Sequence, residues 1–78
     1  MHPSVKEVLE LFKYDHRTKI SLVKLYDDGA DEEVLSPRLY EKLTYSDISD
    51  YLEEEFYCFE LDGDHLAICY LDPKGEWK

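Results

Sequence analysis

The chain has few of the residues from which small catalytic and metal centres are usually built. Its three glycines are isolated, so it lacks a glycine-rich loop that could cradle a phosphate group. Its two cysteines do not form a Cys-x-x-Cys pair, the spacing typical of zinc fingers. No pattern places a histidine beside either cysteine as a base, because His65 is predicted near a turn and opposite Glu60. We therefore expect a protein that is not an enzyme.

Long apolar segments are also missing. No run approaches the roughly 18 to 20 apolar residues that span a bilayer, and the first ten residues lack the order of a signal peptide. We therefore expect a cytoplasmic protein without membrane contacts. The 78 residues are 44% hydrophobic and 14% aromatic, a composition that favours a folded chain over a disordered one. A chain of this length supports one core, so residues 1–78 are predicted to form a single domain.

Positive charge is scarce over most of the chain. The whole sequence has 19 acidic residues against 9 Lys and Arg, which gives a net charge of -10. Residues 44–72 contain no Lys or Arg at all, and they contain these acids: Asp47, Asp50, Glu53, Glu54, Glu55, Glu60, Asp62, Asp64 and Asp72. Such a surface repels nucleic acid and attracts basic partners. Direct nucleic-acid binding is therefore not expected.

The first two thirds of the chain predict a helix, two strands and then two further helices. Ser4 and Glu7 form a capping box ahead of helical apolar spacing, which predicts a helix over residues 4–13. Residues 18–26 are rich in β-branched and apolar side chains and predict a strand, and residues 33–35 predict a second strand after the turn at 27–29. Ser36 and Pro37 resemble a helix start and predict a short helix over 37–43. Capping residues Thr44 and Ser46, followed by apolar residues at helical spacing, predict a helix over 46–55.

The end of the chain predicts a β-hairpin. Residues 56–61 and 66–71 are strand-like, and Asp62-Gly63 between them is a strong turn signal. An even number of loop residues places six apolar side chains on one face, which we expect to be the core: Tyr57, Phe59, Leu61, Leu66, Ile68 and Tyr70. The opposite face then carries Cys58, Glu60, His65, Ala67 and Cys69.

Together these elements predict an α+β fold in one small domain. An N-terminal helix is followed by the order ββααββ. The four strands are expected to form a mostly antiparallel sheet, with helices packed on one or both of its faces.

The cysteine pair has three interpretations. Cys58 and Cys69 lie directly opposite each other for a four-residue loop and diagonally for a two-residue loop. Zinc could bind to them with help from a histidine at position 2, 16 or 65, and a disulfide could join them. We favour simple burial beneath the first helix and expect no cofactor, with zinc through Cys58 and Cys69 as the alternative.

The acidic residues suggest a functional surface. Asp47, Asp50 and Glu54 have the spacing of one helix edge, and a row of carboxylates can substitute for phosphates in a basic nucleic-acid groove of another protein. A solvated face that keeps the protein soluble, or general adhesion to a basic partner, would give the same pattern. The predicted partner-binding residues are Asp27, Asp28, Asp31, Glu32, Glu33, Asp47, Asp50, Glu53 and Glu54.

Three stretches in this order, TKISLVKLYDDG, VLS and SDISDYLEEEFYCFELDGDHLAICY, resemble small proteins encoded by phages and prophages of Gram-positive bacteria. Small acidic proteins of that setting are similar in kind to the anti-CRISPR inhibitors, several of which imitate DNA or block a DNA-binding surface of a Cas effector. The resemblance implies an inhibitor in the host bacterial cytoplasm that binds a bacterial nucleic-acid-binding protein such as a Cas effector. A zinc-stapled protein-interaction domain and a phage structural or accessory subunit are the alternatives, and the oligomeric state is open.

Overall fold

A computed structural model describes residues 3–26 and 28–71. The protein has a small α+β fold with short helices and one four-stranded mixed sheet. In chain order its elements are α1 (Val5–Glu10), β1 (Lys19–Leu25), β2 (Asp31–Leu39), a 3-10 turn (Tyr40–Lys42), α2 (Tyr45–Ile48), β3 (Phe56–Asp62) and β4 (His65–Leu71). The predicted fold class is confirmed, and the predicted order of elements is only partly matched.

The sheet has the strand order β2-β1-β4-β3. Its two outer pairs, β1 with β2 and β3 with β4, are antiparallel as the sequence predicts. The central pair is parallel, with Lys19 opposite His65 and Leu25 opposite Leu71. The sheet is therefore mixed. The two hairpins lie side by side, and their inner strands β1 and β4 run in the same direction.

Helix α1 begins where the sequence predicts and ends earlier. The backbone N–H of Ser4 donates to Glu7 Oε1 at 3.2 Å, and the Ser4 hydroxyl accepts from the backbone N–H of Glu7 at 3.3 Å. This is the predicted capping box. After Glu10 the backbone N–H groups of residues 11–13 bond three residues back, so the chain tightens into turns and the helix does not reach residue 13.

The core lies between α1 and one face of the sheet. It contains Val5, Val8, Leu9, Ile20, Leu22, Leu35, Ile68 and Tyr70. The 3-10 turn and α2 pack against the same core through Tyr40 and Ile48. Within the described residues, every helical segment therefore lies on this face, and we call the opposite side of the sheet the open face.

The predicted helix over residues 37–43 is wrong. Ser36 and Pro37 lie inside β2, and only the 3-10 turn follows. The pairing of β1 with β2 is irregular between Ile20 and Leu22, opposite this segment. Pro37 is tolerated because β2 is an edge strand with a break in its ladder, where a missing N–H donor costs little.

The predicted helix over residues 46–55 is also wrong beyond its first turn. Thr44 caps α2 in a capping box with Asp47, but the helix ends at Ile48 and turns follow. The backbone carbonyl groups of Leu52 and Glu54 instead accept from the N–H groups of Lys6 and Val5 at 3.1 and 2.8 Å. The carbonyl groups of this segment therefore accept hydrogen bonds from the free N–H groups in the first turn of α1, and the segment does not extend α2.

The hairpin prediction is correct in the even loop length and in which side chains share a face, and it is wrong at one end of β3. It is also wrong in placing Cys58 diagonal to Cys69 for a two-residue loop, because the two residues lie directly opposite each other. The loop is Gly63-Asp64, so its length is even, and Leu61 lies opposite Leu66. Gly63 has φ of 63° at the first loop position, which favours glycine. The register then shifts between Phe56 and Cys58, a bulge that leaves Tyr57 51% exposed and puts Phe56 opposite Tyr70 in its place.

The core face predicted for the hairpin is buried in β4 and largely exposed in β3. Ile68 and Tyr70 are buried, and Leu66 is half-buried. In contrast, Phe59 is 42% exposed and Leu61 is 82% exposed. The cause is position, because β4 is a central strand whereas β3 is at the edge of the sheet.

Candidate functional site

A groove of about 370 Å³ crosses the open face of the sheet. All four strands contribute to it, two of them with a pair of carboxylates each. Its lining residues are Val23, Asp31, Glu33, Glu60, Leu61, Asp62, His65 and Ala67. We call it the acidic groove.

Strand alternation explains how the carboxylates come together. Asp31 and Glu33 lie opposite residues 25 and 23 of β1, while Glu60 and Asp62 lie opposite residues 67 and 65 of β4. Side chains at i and i+2 share a face, so the two carboxylates of each strand are about 7 Å apart. The two rows stand on the outer strands, separated across the sheet by three strand spacings of about 4.8 Å, or about 14 Å in total. They are offset along the strands, because Asp31 and Glu33 are level with residues 71 and 69 of β4. The register of β1 against β4 puts both rows on the same face.

The basic groups near this groove are gathered at the hairpin turn. Lys19 Nζ lies 3.8 Å from Asp64 Oδ2, while His65 Nδ1 lies 3.4 Å from Asp64 Oδ1 and His65 Nε2 lies 3.8 Å from Asp62 Oδ2. The hydrogen bond from His65, followed by the backbone and Lys19, holds the pKa of Asp64 below its usual range. Among the residues that the structure describes, no Lys, Arg or His lines the end of the groove at Asp31 and Glu33.

The cysteines lie on the open face and not beneath α1, so that prediction is wrong. Cys58 is directly opposite Cys69, and both are free thiols. The Cys69 thiol is buried and donates to Glu60 Oε2 at 3.5 Å. Burial, followed by the neighbouring Cys58, raises the pKa of Cys69 to about 12. Zinc requires deprotonated thiols, and over residues 3–26 and 28–71 no group of three or more His, Cys, Asp or Glu side chains is arranged to hold a metal.

The predicted acidic loop is divided between the faces. Asp31 and Glu33 line the groove. Glu32 points to the other face, where its Oε1 accepts from the Tyr26 hydroxyl at 2.7 Å. The carboxylate of Asp28 accepts from the backbone N–H of Ala30 at 2.9 Å and so stabilises the turn. Asp27 lies outside the described residues.

The predicted row of Asp47, Asp50 and Glu54 does not form, because α2 ends at Ile48. Asp47 Oδ2 accepts from the backbone N–H of Thr44 at 3.0 Å and lies 3.3 Å from Arg38 Nη1, so its charge is engaged within the molecule. Asp50 and Glu53 are exposed and Glu54 is half-buried. These residues therefore do not reproduce the regular spacing of phosphates.

The role of Asp47 can be tested by its pH dependence. The backbone N–H and the side chain of Thr44, together with Arg38, lower the pKa of Asp47 in the folded state. A lowered pKa stabilises the fold above the unfolded value of about 3.9, and this stabilisation is lost as the pH falls through the folded value. We expect Asp47→Asn to lower the urea midpoint at pH 7 and to differ less from wild type near pH 3. The exposed Asp50→Asn is the control, and an equal loss in both variants would contradict this role.

The sequence did not identify Glu60 and Asp62 as part of a site, and it indicated His65 only as a possible zinc ligand. Alternation in the hairpin does place Glu60 and His65 on the face away from the core, which was the available signal. What local patterns do not reveal is that β1 and β4 pair in parallel and so bring Asp31 and Glu33 to the same groove. No protein-family model, curated protein or solved structure matches this chain. In the part of the chain that is described, no helix has the length and apolar character needed to cross a membrane.

Proposed function

We propose that the protein is a non-enzymatic acidic binding protein that blocks a basic nucleic-acid-binding surface of a bacterial protein. Inhibition of a Cas effector, the activity of an anti-CRISPR protein, is the particular case that the sequence resemblance suggests. The acidic groove is the observation that carries this proposal. Its two rows of carboxylates face one side of the molecule, and its floor residues Val23 and Ala67 carry no charge.

The arrangement of the carboxylates supports imitation of a nucleic acid. The two rows are about 14 Å apart across the sheet and are offset along the strands, so that Glu33 and Glu60 form the nearest pair between them. A basic surface that contacts the phosphates of two nucleic-acid strands would therefore meet two separate rows of negative charge. The net charge of -10 adds a long-range field that accelerates association with such a basic surface.

The chemistry of the groove supports binding more than catalysis. The Cys69 thiol has a raised pKa, so it is a weak nucleophile at neutral pH. His65, the histidine in the lining of the groove, lies between the carboxylates of Asp62 and Asp64. The groups that converge on the groove are carboxylates, whose common property is charge.

The proposal predicts a partner that is held by charge and released by DNA. The tagged protein is mixed with a lysate of a Gram-positive bacterium, and the affinity for the captured protein is then measured at 50 mM and 500 mM salt. If four exposed ion pairs each lose about 0.35 kcal/mol to screening, the affinity falls about tenfold. Duplex DNA should compete with the protein for the captured partner.

The control for this experiment is the same measurement with a neutral dextran in place of DNA as competitor. A captured protein that is held equally at both salt concentrations would contradict the proposal. So would a partner that binds duplex DNA and the acidic protein at the same time.

A further inference from the structure

The two edges of the sheet differ in how they are protected against pairing with another chain. The β2 edge carries the consecutive acids Asp31, Glu32 and Glu33 as well as Pro37, which are devices that prevent edge pairing. The β3 edge carries exposed Phe59 and Leu61 beyond its bulge. Its acids Glu60 and Asp62 lie on the groove side only. Over residues 59–61 the β3 edge therefore has less protection than the β2 edge, since it has no proline there and its apolar side carries no charge.

The backbone groups of Phe59 and Leu61 point away from the sheet. A hairpin with a two-residue loop is closed by a hydrogen-bonded pair, here Asp62 with His65. Hydrogen-bonded and non-hydrogen-bonded pairs alternate along an antiparallel ladder, so Glu60 bonds to β4 while Phe59 and Leu61 do not. Their N–H and C=O groups are consequently directed toward the outer edge.

The start of β3 shows that this edge can accept a strand. The backbone N–H of Phe56 donates outward to the carbonyl group of Pro3 at 3.0 Å, and Ser4 bridges to Glu55 in antiparallel orientation. Among the described residues, no other segment pairs with the outer side of β3. The same kind of hydrogen bond is therefore available further along, at Phe59 and Leu61.

We propose that the β3 edge binds an extended segment of a partner as a fifth strand, and that this segment alternates basic and apolar residues. On the groove side its side chains would lie next to Glu60 and Asp62, which favours Lys or Arg. On the other side they would lie next to Phe59 and Leu61, which favours Val, Ile or Leu. Main-chain hydrogen bonds supply affinity and this alternation supplies specificity. The inference rests on the proposed function only in taking the partner to be basic.

A second copy of this chain fits the edge less well. It would add its own Glu60 and Asp62 to a face that already has four carboxylates, on a molecule with a net charge of -10. Like charges on neighbouring strands are destabilising. A basic segment instead neutralises the groove as it pairs.

The test uses a seven-residue peptide of alternating valine and lysine, with NMR measurement of amide hydrogen exchange. We expect the peptide to slow the exchange of the Phe59 and Leu61 amides about tenfold, because each gains a hydrogen bond. The amide of Glu60 already bonds to β4 and should not change. A peptide of the same composition with its valines and lysines in separate blocks is the control and should not slow Phe59 or Leu61.

A variant pair isolates the backbone contribution. Leu61→Pro removes the outward N–H without removing a bond to β4, whereas Leu61→Ala shortens the same side chain and keeps the N–H. We expect Leu61→Pro to bind the alternating peptide about three- to tenfold more weakly than Leu61→Ala. If Leu61→Pro does not fold, methylation of alternate backbone nitrogens in the peptide tests the same hydrogen bonds with the unchanged protein.

Three results would overturn the inference. The two peptides could bind equally, or the alternating peptide could bind without slowing the exchange of Phe59 and Leu61. In either case the charge-based function would stand, since it depends on salt and DNA competition and not on the β3 edge. The third result is slowed exchange on raising the protein concentration alone, which would identify a second copy as the occupant of the edge.

Discussion

Leu22→Ala is expected to lower the free energy of unfolding by about 2 to 5 kcal/mol. Leu22 is fully buried on β1, opposite Leu35 on one side and Ile68 on the other, and it belongs to the core under α1. Truncation there removes buried methyl groups and leaves a cavity between two sheet neighbours and a helix. A chain of this size has a total stability of roughly 4 to 12 kcal/mol, so the variant should lose a large fraction of its stability and unfold at a much lower urea concentration.

The matched control makes the same chemical change at the sheet edge. Leu61→Ala removes the same atoms from a side chain that is 82% exposed, and it should change the free energy of unfolding by less than about 0.5 kcal/mol. Urea denaturation followed by circular dichroism measures both variants. Similar losses in the two variants would mean that the core is not centred on the β1 and β4 strands.

The second large effect is expected in binding. Simultaneous replacement of Asp31, Glu33, Glu60 and Asp62 by lysine reverses every carboxylate of the acidic groove. Each exposed ion pair contributes up to about 1 kcal/mol, and reversal replaces attraction by repulsion, so the affinity for the basic partner should fall about a thousandfold. All four residues are exposed on edge strands, so the fold should tolerate the changes. Isothermal titration calorimetry with the purified partner measures the effect.

The control reverses four exposed acids outside the groove and produces the same net charge. Glu10, Asp50, Glu53 and Glu55 are exposed and do not line it. This control variant should lose no more than about tenfold in affinity, because only the long-range field is changed. The comparison also tests the original sequence hypothesis, which assigned binding to Asp50 and Glu53. An equal loss in both variants would show that total charge, rather than the groove, determines binding.

The elements that the sequence predicted well depend on short-range physical chemistry. The capping box at Ser4 needs only residues three apart, and it is present as predicted. The turn at Gly63 and the alternation on either side of it determine which hairpin side chains share a face, but they did not fix the position of Cys58 relative to Cys69. Each of these signals lies within about ten residues of sequence, and over that distance the local backbone geometry determines the structure.

The errors arose where tertiary structure overrides a local pattern. Ser36-Pro37 is a good helix start in isolation, but β2 continues through it and pairs with β1 on either side of it. The segment after Ile48 has helical apolar spacing, yet its carbonyl groups are used to cap α1. The bulge at Tyr57 exposes an aromatic side chain that was predicted to lie in the core. The alternation of residues in the strand does not indicate a bulge.

The candidate site was only half predictable for the same reason. Asp31 and Glu33 were selected from charge density, whereas Asp47, Asp50 and Glu54 were selected from a helix that ends too early to align them. Glu60 and Asp62 join the site because two hairpins that are distant in the sequence meet through a parallel pair. Charge density identified the kind of surface, and long-range pairing determined its location.

The parallel pairing of β1 with β4 also determines when this chain can fold during synthesis. Each residue of β1 pairs with one 46 positions later, as in Lys19 with His65. A nascent chain that has emerged only through β3 has both edge strands but lacks one of the two strands at the centre of the sheet. Loop closure over this distance must precede the contacts of β4 with the rest of the core. The ribosome must therefore deliver nearly all of β4 before Ile68 and Tyr70 can complete the core between α1 and the sheet.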